Sequence, residues 1–275
     1  MQNITKIRDL IQIRRQLSGS TGLVTTMGFL HDGHLSLINT AQNQNDHVIV
    51  SIFVNPLQFG SQDDLQLYPR DIEHDIKLLK QANADIVFLP ETDELYPSNY
   101  LTYVDVKDIT NCLEGKSRPE HFNGVTTVLT KLFNIIQPDR AYFGQKDAQQ
   151  VAVVKKMVED LNFPLEIITC KTIREKSGLA LSSRNVRLST SEHKEAEILY
   201  KSLTAASELF NKGEINAVKI KSLMKKMIET TKGKIDYISM ANPITLHEED
   251  IIEKGTLVSL AVIFGKTRLI DNIIL

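Results

Sequence analysis

The spacing of apolar residues changes repeatedly over the first 170 or so positions. Gly22-Leu23-Val24-Thr25 is a short apolar run that reads as a buried strand, and Leu35, Leu37 and Ile38 begin a helix behind it. Residues 47–54 are dense in β-branched side chains and end at Asn55-Pro56. Residues 71–82 carry a helical stripe of Ile72, Ile76, Leu78 and Leu79. A short strand over 85–89 closes at Pro90, and a helix over 125–136 ends before Pro138. A strand over 140–143 runs into Gly144, followed by a helix over 147–161 and a strand over 165–170. Strands alternating with helices predict an α/β fold, a Rossmann-like parallel sheet with helices on both faces.

The pattern changes after Lys176. Residues 177–189 form a polar loop with Gly178, two adjacent serines and two arginines. Helical stretches over 191–211 and 215–230 follow, then strands over 235–241, 256–264 and 267–275. This predicts a first domain over 1–176 and a smaller C-terminal α+β lid domain over 177–275.

Composition narrows the function. Lys plus Arg number 32 against 34 for Asp plus Glu, a net charge of −2, so no electrostatic case exists for nucleic acid or an anionic membrane. No apolar run approaches about 18 residues, so no membrane span is expected. Cys112 and Cys170 lie far apart and outside any Cys-x-x-Cys frame, which fits a reducing cytoplasm rather than a disulfide framework.

Three polar motifs stand directly after predicted strands: residues 31–34, 55–60 and 144–150. Ligands of such sheets bind beyond the carboxyl ends of the strands. In the first motif, His31 and His34 flank Gly33 where a strand gives way to a helix, with Gly28 just upstream. A helix N-terminus carries unpaired N–H groups and partial positive charge, so a phosphate is the expected ligand. A zinc pair lacks the His-Glu-x-x-His run, and a P-loop fails because His34-Leu35 stands where Lys-Ser/Thr is required. Asn55 and Gln58 in the second motif offer uncharged donors and acceptors suited to hydroxyl and carboxylate groups. In the third, Lys146 can neutralise charge growing on a phosphate, and Asp147 and Gln150 lie one helical turn apart. Ser182, Ser183 and Arg184, near Arg174 and Lys176, could close over a polyphosphate. Arg118 and His121 fit either a structural role or a contact surface.

Together TMGFLHDGHLSLI, SIFVNPLQFG, LYPRD, LEGKSRPEHFNGV, PDRAYFGQKDAQQ and REKSGLALSSRN resemble, in order and spacing, the pantothenate synthetase (pantoate–β-alanine ligase) family of the His-x-Gly-His nucleotidyltransferase superfamily. The resemblance covers essentially the whole chain. It implies an ATP-dependent ligase that condenses pantoate with β-alanine through a pantoyl adenylate, releasing AMP and pyrophosphate. By the same resemblance His31, His34, Lys146 and Arg184 would be catalytic. Met27, His34, Gly144, Lys146, Asp147, Ile173, Ser182, Ser183 and Arg184 would bind ATP, and Met27, Gln58, Gln150 and Asn55 would hold pantoate. Asp75 is a candidate for the metal and β-alanine side. Magnesium would accompany ATP, with no permanently bound metal, and the resemblance implies a cytoplasmic homodimer. Leu181 stands where a methionine is common in the family, and His74 where an acid is expected. Rival readings are a nucleotidyl transfer to a phosphorylated alcohol, a nucleotide-binding regulator without turnover, and a metal hydrolase.

Overall fold

The computed structural model describes residues 1–60 and 62–275. By their internal contacts these residues form two units, one of 1–144 with 153–170, the other of 145–152 with 171–275. The change falls at residue 171 rather than after 176, and 145–152 group with the second unit.

The first unit is built on six parallel strands: β1 (Gln2–Ile4), β2 (Thr21–Thr26), β3 (His47–Ile52), β4 (Ile86–Phe88), β5 (Arg140–Gly144) and β6 (Glu166–Cys170). Their order is β1-β4-β3-β2-β5-β6, so the chain winds outward from β2 in both directions. Five of the six residues of β3 are buried, as expected of a strand covered on both faces. The helices are α1 (Ile7–Arg14), α2 (Asp32–Gln42), α3 (Gln62–Gln66), α4 (Ile72–Gln81), α5 (Thr92–Leu95), α6 (Leu113–Ser117), α7 (His121–Ile136) and α8 (Ala148–Asp160), the last of which begins in the second unit. One core cluster joins Val24, Val48, Val50 and Val87 of the sheet to Leu37, Ile38 and Ala41 of α2 and Leu79 of α4.

The second unit carries an antiparallel sheet in the order β7-β8-β9, formed by β7 (Lys234–Ala241), β8 (Leu257–Phe264) and β9 (Thr267–Ile274). The helices α9 (Thr190–Ala196), α10 (Ile198–Asn211) and α11 (Ala217–Ile228) contribute Ala196, Leu199, Leu203, Ile220 and Met224 to its core, against Val258, Leu260 and Val262 of β8.

Several boundaries differ from expectation. Helix α7 starts at His121, not 125, because Glu120 takes a left-handed conformation (φ 65°) and lets the chain enter the helix four residues early. The helix expected over 191–211 is two helices that meet at Glu197. Asn216 caps α11 by accepting from the Lys219 N–H, so that helix starts after Asn216 instead of at 215. The short β1 and α1 carry no counterpart among the expected elements.

Candidate active site

The order of the strands reverses between β2 and β5, the position at which open α/β sheets bind ligands beyond the carboxyl ends of the strands. The Met27–His34 segment leaves β2 there. Its path is set by two side chains. Thr26 Oγ1 accepts from the Gly28 N–H at 3.1 Å. The Asp75 carboxylate, reaching over from α4, accepts from Phe29 N at 2.8 Å and Leu30 N at 2.7 Å. Gly28 has φ +81°, and a Cβ on it would lie 2.9 Å from Asp75 Oδ2, so both the conformation and the close approach require glycine. Burial holds the Asp75 carboxyl above the ordinary range, a rise that the two N–H donors oppose only in part.

His31 is the N-cap of α2. Its Nδ1 accepts from Gly33 N at 3.1 Å, and His34 Nδ1 accepts from His31 N at 3.3 Å, a reciprocal capping box. The His34 N–H is bonded to the His31 carbonyl at 2.8 Å. The backbone donors of Gly33 and His34 are therefore engaged, and a phosphate is not offered these two groups. What the arrangement offers instead is two imidazoles, centroids 4.1 Å apart, each with Nδ1 as acceptor and the neutral-form proton on Nε2. The helix dipole adds to those donors.

The second motif lies at the end of β3. Asn55 N-caps a single 3-10 turn over Pro56–Gln58. Its Nδ2 donates to Gln58 Oε1 and to the Gly124 carbonyl, both at 3.0 Å. Its Oδ1 accepts from Tyr96 Oη at 3.0 Å and Leu57 N at 3.3 Å. Gln58 Nε2 donates to Met27 Sδ at 3.1 Å, joining the motif after β3 to the one after β2. A Cβ on Gly124 would sit 2.4 Å from the Leu57 carbonyl, so α7 packs directly on this turn because residue 124 has no side chain. The Gln58 carbonyl is held by His121 Nδ1 at 2.8 Å and Arg118 Nη2 at 3.3 Å, which assigns both residues to support of this turn.

In the second unit, a 3-10 turn over Gln145–Asp147 leads into α8. Lys146 Nζ lies 3.6 Å from Asp147 Oδ1, and Gln150 follows within the first turn of α8. Asn272 of β9 pins the turn: its Nδ2 donates to the carbonyls of Gln145 and Lys146 at 2.9 Å each, and its Oδ1 accepts from Gln145 Nε2 at 3.0 Å. Leu181 N donates to Ile173 O at 3.0 Å, which sets Ile173 beside the serine-arginine segment. Ser182 Oγ caps a 3-10 turn over Ser183–Arg187 by accepting from Arg184 N at 3.2 Å. That segment is an ordered turn rather than an open loop. Arg174 serves the fold, not a phosphate: it pairs with both oxygens of buried Asp271 and lies 4.1 Å over the Tyr200 ring.

A family model described as Pantoate-beta-alanine ligase matches residues 1–274. The chain belongs to the pantoate-beta-alanine ligase family. The pantothenate synthetase of Acetivibrio thermocellus is 55% identical to it over 275 residues, spanning 100% of this chain and 98% of that protein. The crystal structure of pantothenate synthetase from Thermus thermophilus superposes with a TM-score of 0.95 at 41% identity, covering 99% of each chain. A pantoate-beta-alanine ligase from Francisella tularensis, solved with beta-gamma ATP and beta-alanine, gives a TM-score of 0.82 at 36% identity, over 100% of this chain and 97% of that one.

In this ligase the residues missed from sequence are those that hold the motifs: Thr26, Tyr96 and Asn272. Asp75, a candidate for the metal side, has each carboxylate oxygen on a backbone N–H and shapes the turn. Asp75→Asn would set an NH2 against one of those donors. A loss of about 1–3 kcal/mol is expected, read by urea unfolding, since a buried donor left without an acceptor costs about that much. An unchanged unfolding midpoint would show that Asp75 does not hold the turn.

Proposed function

We propose that the chain joins pantoate to β-alanine at the expense of ATP in two steps. A pantoate carboxylate oxygen attacks the α-phosphorus and pyrophosphate leaves. The β-alanine amine then attacks the acyl carbon of the pantoyl adenylate, and AMP leaves with its oxygen. No protein nucleophile enters; catalysis comes from placement and from donors aimed at developing charge.

The observation that carries this reading is the junction of Met27, Asn55 and Gln58 beside the His31–His34 cap, at the carboxyl ends of β2 and β3. Gln58 and Gln150 would hold the pantoate oxygens, with Met27 against its apolar part. The Nε2–H groups of His31 and His34 would meet ATP phosphates. Gly144 has an ordinary φ and no atom within 4 Å of a Cβ built on it, so packing gives no reason for glycine; close passage of a ribose does. Lys146 would stabilise the transferring phosphate, Asp147 the ribose, Ile173 the adenine, and Ser182, Ser183 and Arg184 the β- and γ-phosphates. No group of three His, Cys, Asp or Glu among the described residues could hold a metal ion, so magnesium would arrive on the phosphate oxygens of ATP. The two thiols, neither in a disulfide, support a cytoplasmic setting, and the family likeness supports a homodimer. No helix among the described residues is long and apolar enough to cross a membrane.

The test is isotope exchange between ATP and pyrophosphate. Exchange is expected with pantoate present and β-alanine absent. Exchange that ignores pantoate, or that requires β-alanine, would rule out a free-standing pantoyl adenylate.

A further inference from the structure

Asn55 is buried, and its carboxamide has four hydrogen-bonding positions, two donor and two acceptor. All four are filled within the first unit. Its sense is fixed by backbone groups that cannot reverse: the Leu57 N–H requires an oxygen opposite it, and the Gly124 carbonyl requires an NH2. With that sense fixed, Tyr96 Oη must donate to Oδ1, and the second Nδ2 hydrogen must go to Gln58 Oε1. The four hydrogen-bonding positions of Asn55 are thus all taken by protein groups, so its part in the proposed pantoate site runs through Gln58. The effect passes to Gln58. Its oxygen turns one lone pair to the Asn55 NH2, which fixes the sense of the carboxamide with Nε2 toward Met27, and the partner now at Nε2, the Met27 thioether, is a weak acceptor that an oxygen displaces readily.

We infer that Tyr96 is a positioning residue that acts through Asn55 to hold Gln58 as a donor toward an oxygen acceptor of the hydroxy-acid substrate. This rests on the pantoate reading of the Gln58 site. Tyr96 is suited to the task. Burial drives its phenol far above the ordinary range, so it keeps the proton it must donate. Its ring is braced by Tyr100 at 5.1 Å and Phe53 at 6.0 Å, so the hydroxyl is aimed by packing. The hydroxyl fills the last acceptor position of a buried amide. Without it, Asn55 can rock away from Gln58 and free the Gln58 carboxamide to rotate.

The inference is tested by a double-mutant cycle on the full chain with Tyr96→Phe, Gln58→Ala and the pair. Pantoate KM and kcat, ATP KM and the unfolding midpoint are measured for each. Loss of one hydrogen bond corresponds to about tenfold. Tyr96→Phe alone is therefore expected to raise pantoate KM about tenfold, with ATP KM within twofold. In the Gln58→Ala background the same change should leave pantoate KM unaltered, because the group it orients is gone. Additive effects, or equal rises in pantoate and ATP KM, overturn the inference. Gln58→Glu is the second variant. It can still accept from Asn55 but presents an anionic acceptor where a donor stood, and a loss of 100-fold or more in kcat/KM for pantoate is expected. A loss below tenfold overturns the donor assignment. If the unmodified chain itself shows no pantoate-dependent exchange, the function reading has failed instead, and the cycle does not arise.

Discussion

Replacing Lys146 by alanine is expected to lower kcat for pantothenate formation by about 10²–10³, the loss seen when one donor aimed at transition-state charge is removed. The Lys146 side chain is about 19% exposed, and its recorded partner is Asp147 at 3.6 Å. The turn that carries it is fastened by main-chain carbonyls to Asn272 and by the Gln145 side chain, not by the ammonium. Removal of the ammonium should therefore leave the turn in place. The change in stability should be small, since the ion pair it breaks has a half-exposed partner. Single-turnover formation of the adenylate is the measurement to make, because steady-state kcat can be limited by product release. A variant that forms the adenylate at a near-normal rate would remove Lys146 from the chemistry and leave the fold untouched.

His34→Ala is expected to have a comparable kinetic effect, with a stability component that Lys146→Ala lacks. His34 Nδ1 closes the cap on the His31 N–H, and loss of such a cap costs about 1 kcal/mol. The kinetic loss of 10²–10³ corresponds to about 2.7–4 kcal/mol, so the two roles separate by magnitude. His34→Glu separates them by chemistry. Glutamate is a standard closing residue of the capping box and should recover the stability. It also places a negative charge where phosphates are proposed to sit, so turnover should stay at or below that of the alanine variant. Recovery of turnover together with stability would mean that His34 serves only the helix.

The sheet was legible because its strands are written as local apolar runs: residues 47–54 and 85–89 cannot be much else between Pro and Asn breaks. Helix α4 was bounded correctly because Asp71 caps it, accepting from the His74 N–H. The early start of α7 was hidden, since it depends on one left-handed residue, Glu120, of a type that rarely takes that conformation. Strand β1 was hidden because three residues cannot establish an alternation. The candidate site divides along the same line. His31, His34, Asn55, Gln58 and Lys146 announce themselves by position after strands. Asp75, Tyr96, His121 and Asn272 hold those motifs across 45 or 46, 41, 63 and 126 or 127 residues of chain, and a pattern read locally carries no trace of such pairings. Asn55 shows the limit most plainly. Its residue type suits a ligand, but only a full count of its partners reveals that none of its capacity is spare.

The grip of Asn272 on the turn of Lys146 has a consequence for how the molecule comes into being. Synthesis runs from the N-terminal side, so the parallel sheet, whose last strand ends at Cys170, can assemble before β9 is made. The turn of Lys146 gains the Asn272 bonds only when β9 has emerged and zipped onto β8. A nascent polypeptide stalled short of residue 272 would own nearly every motif in the molecule and still present its lysine ammonium on a turn without its Asn272 bonds.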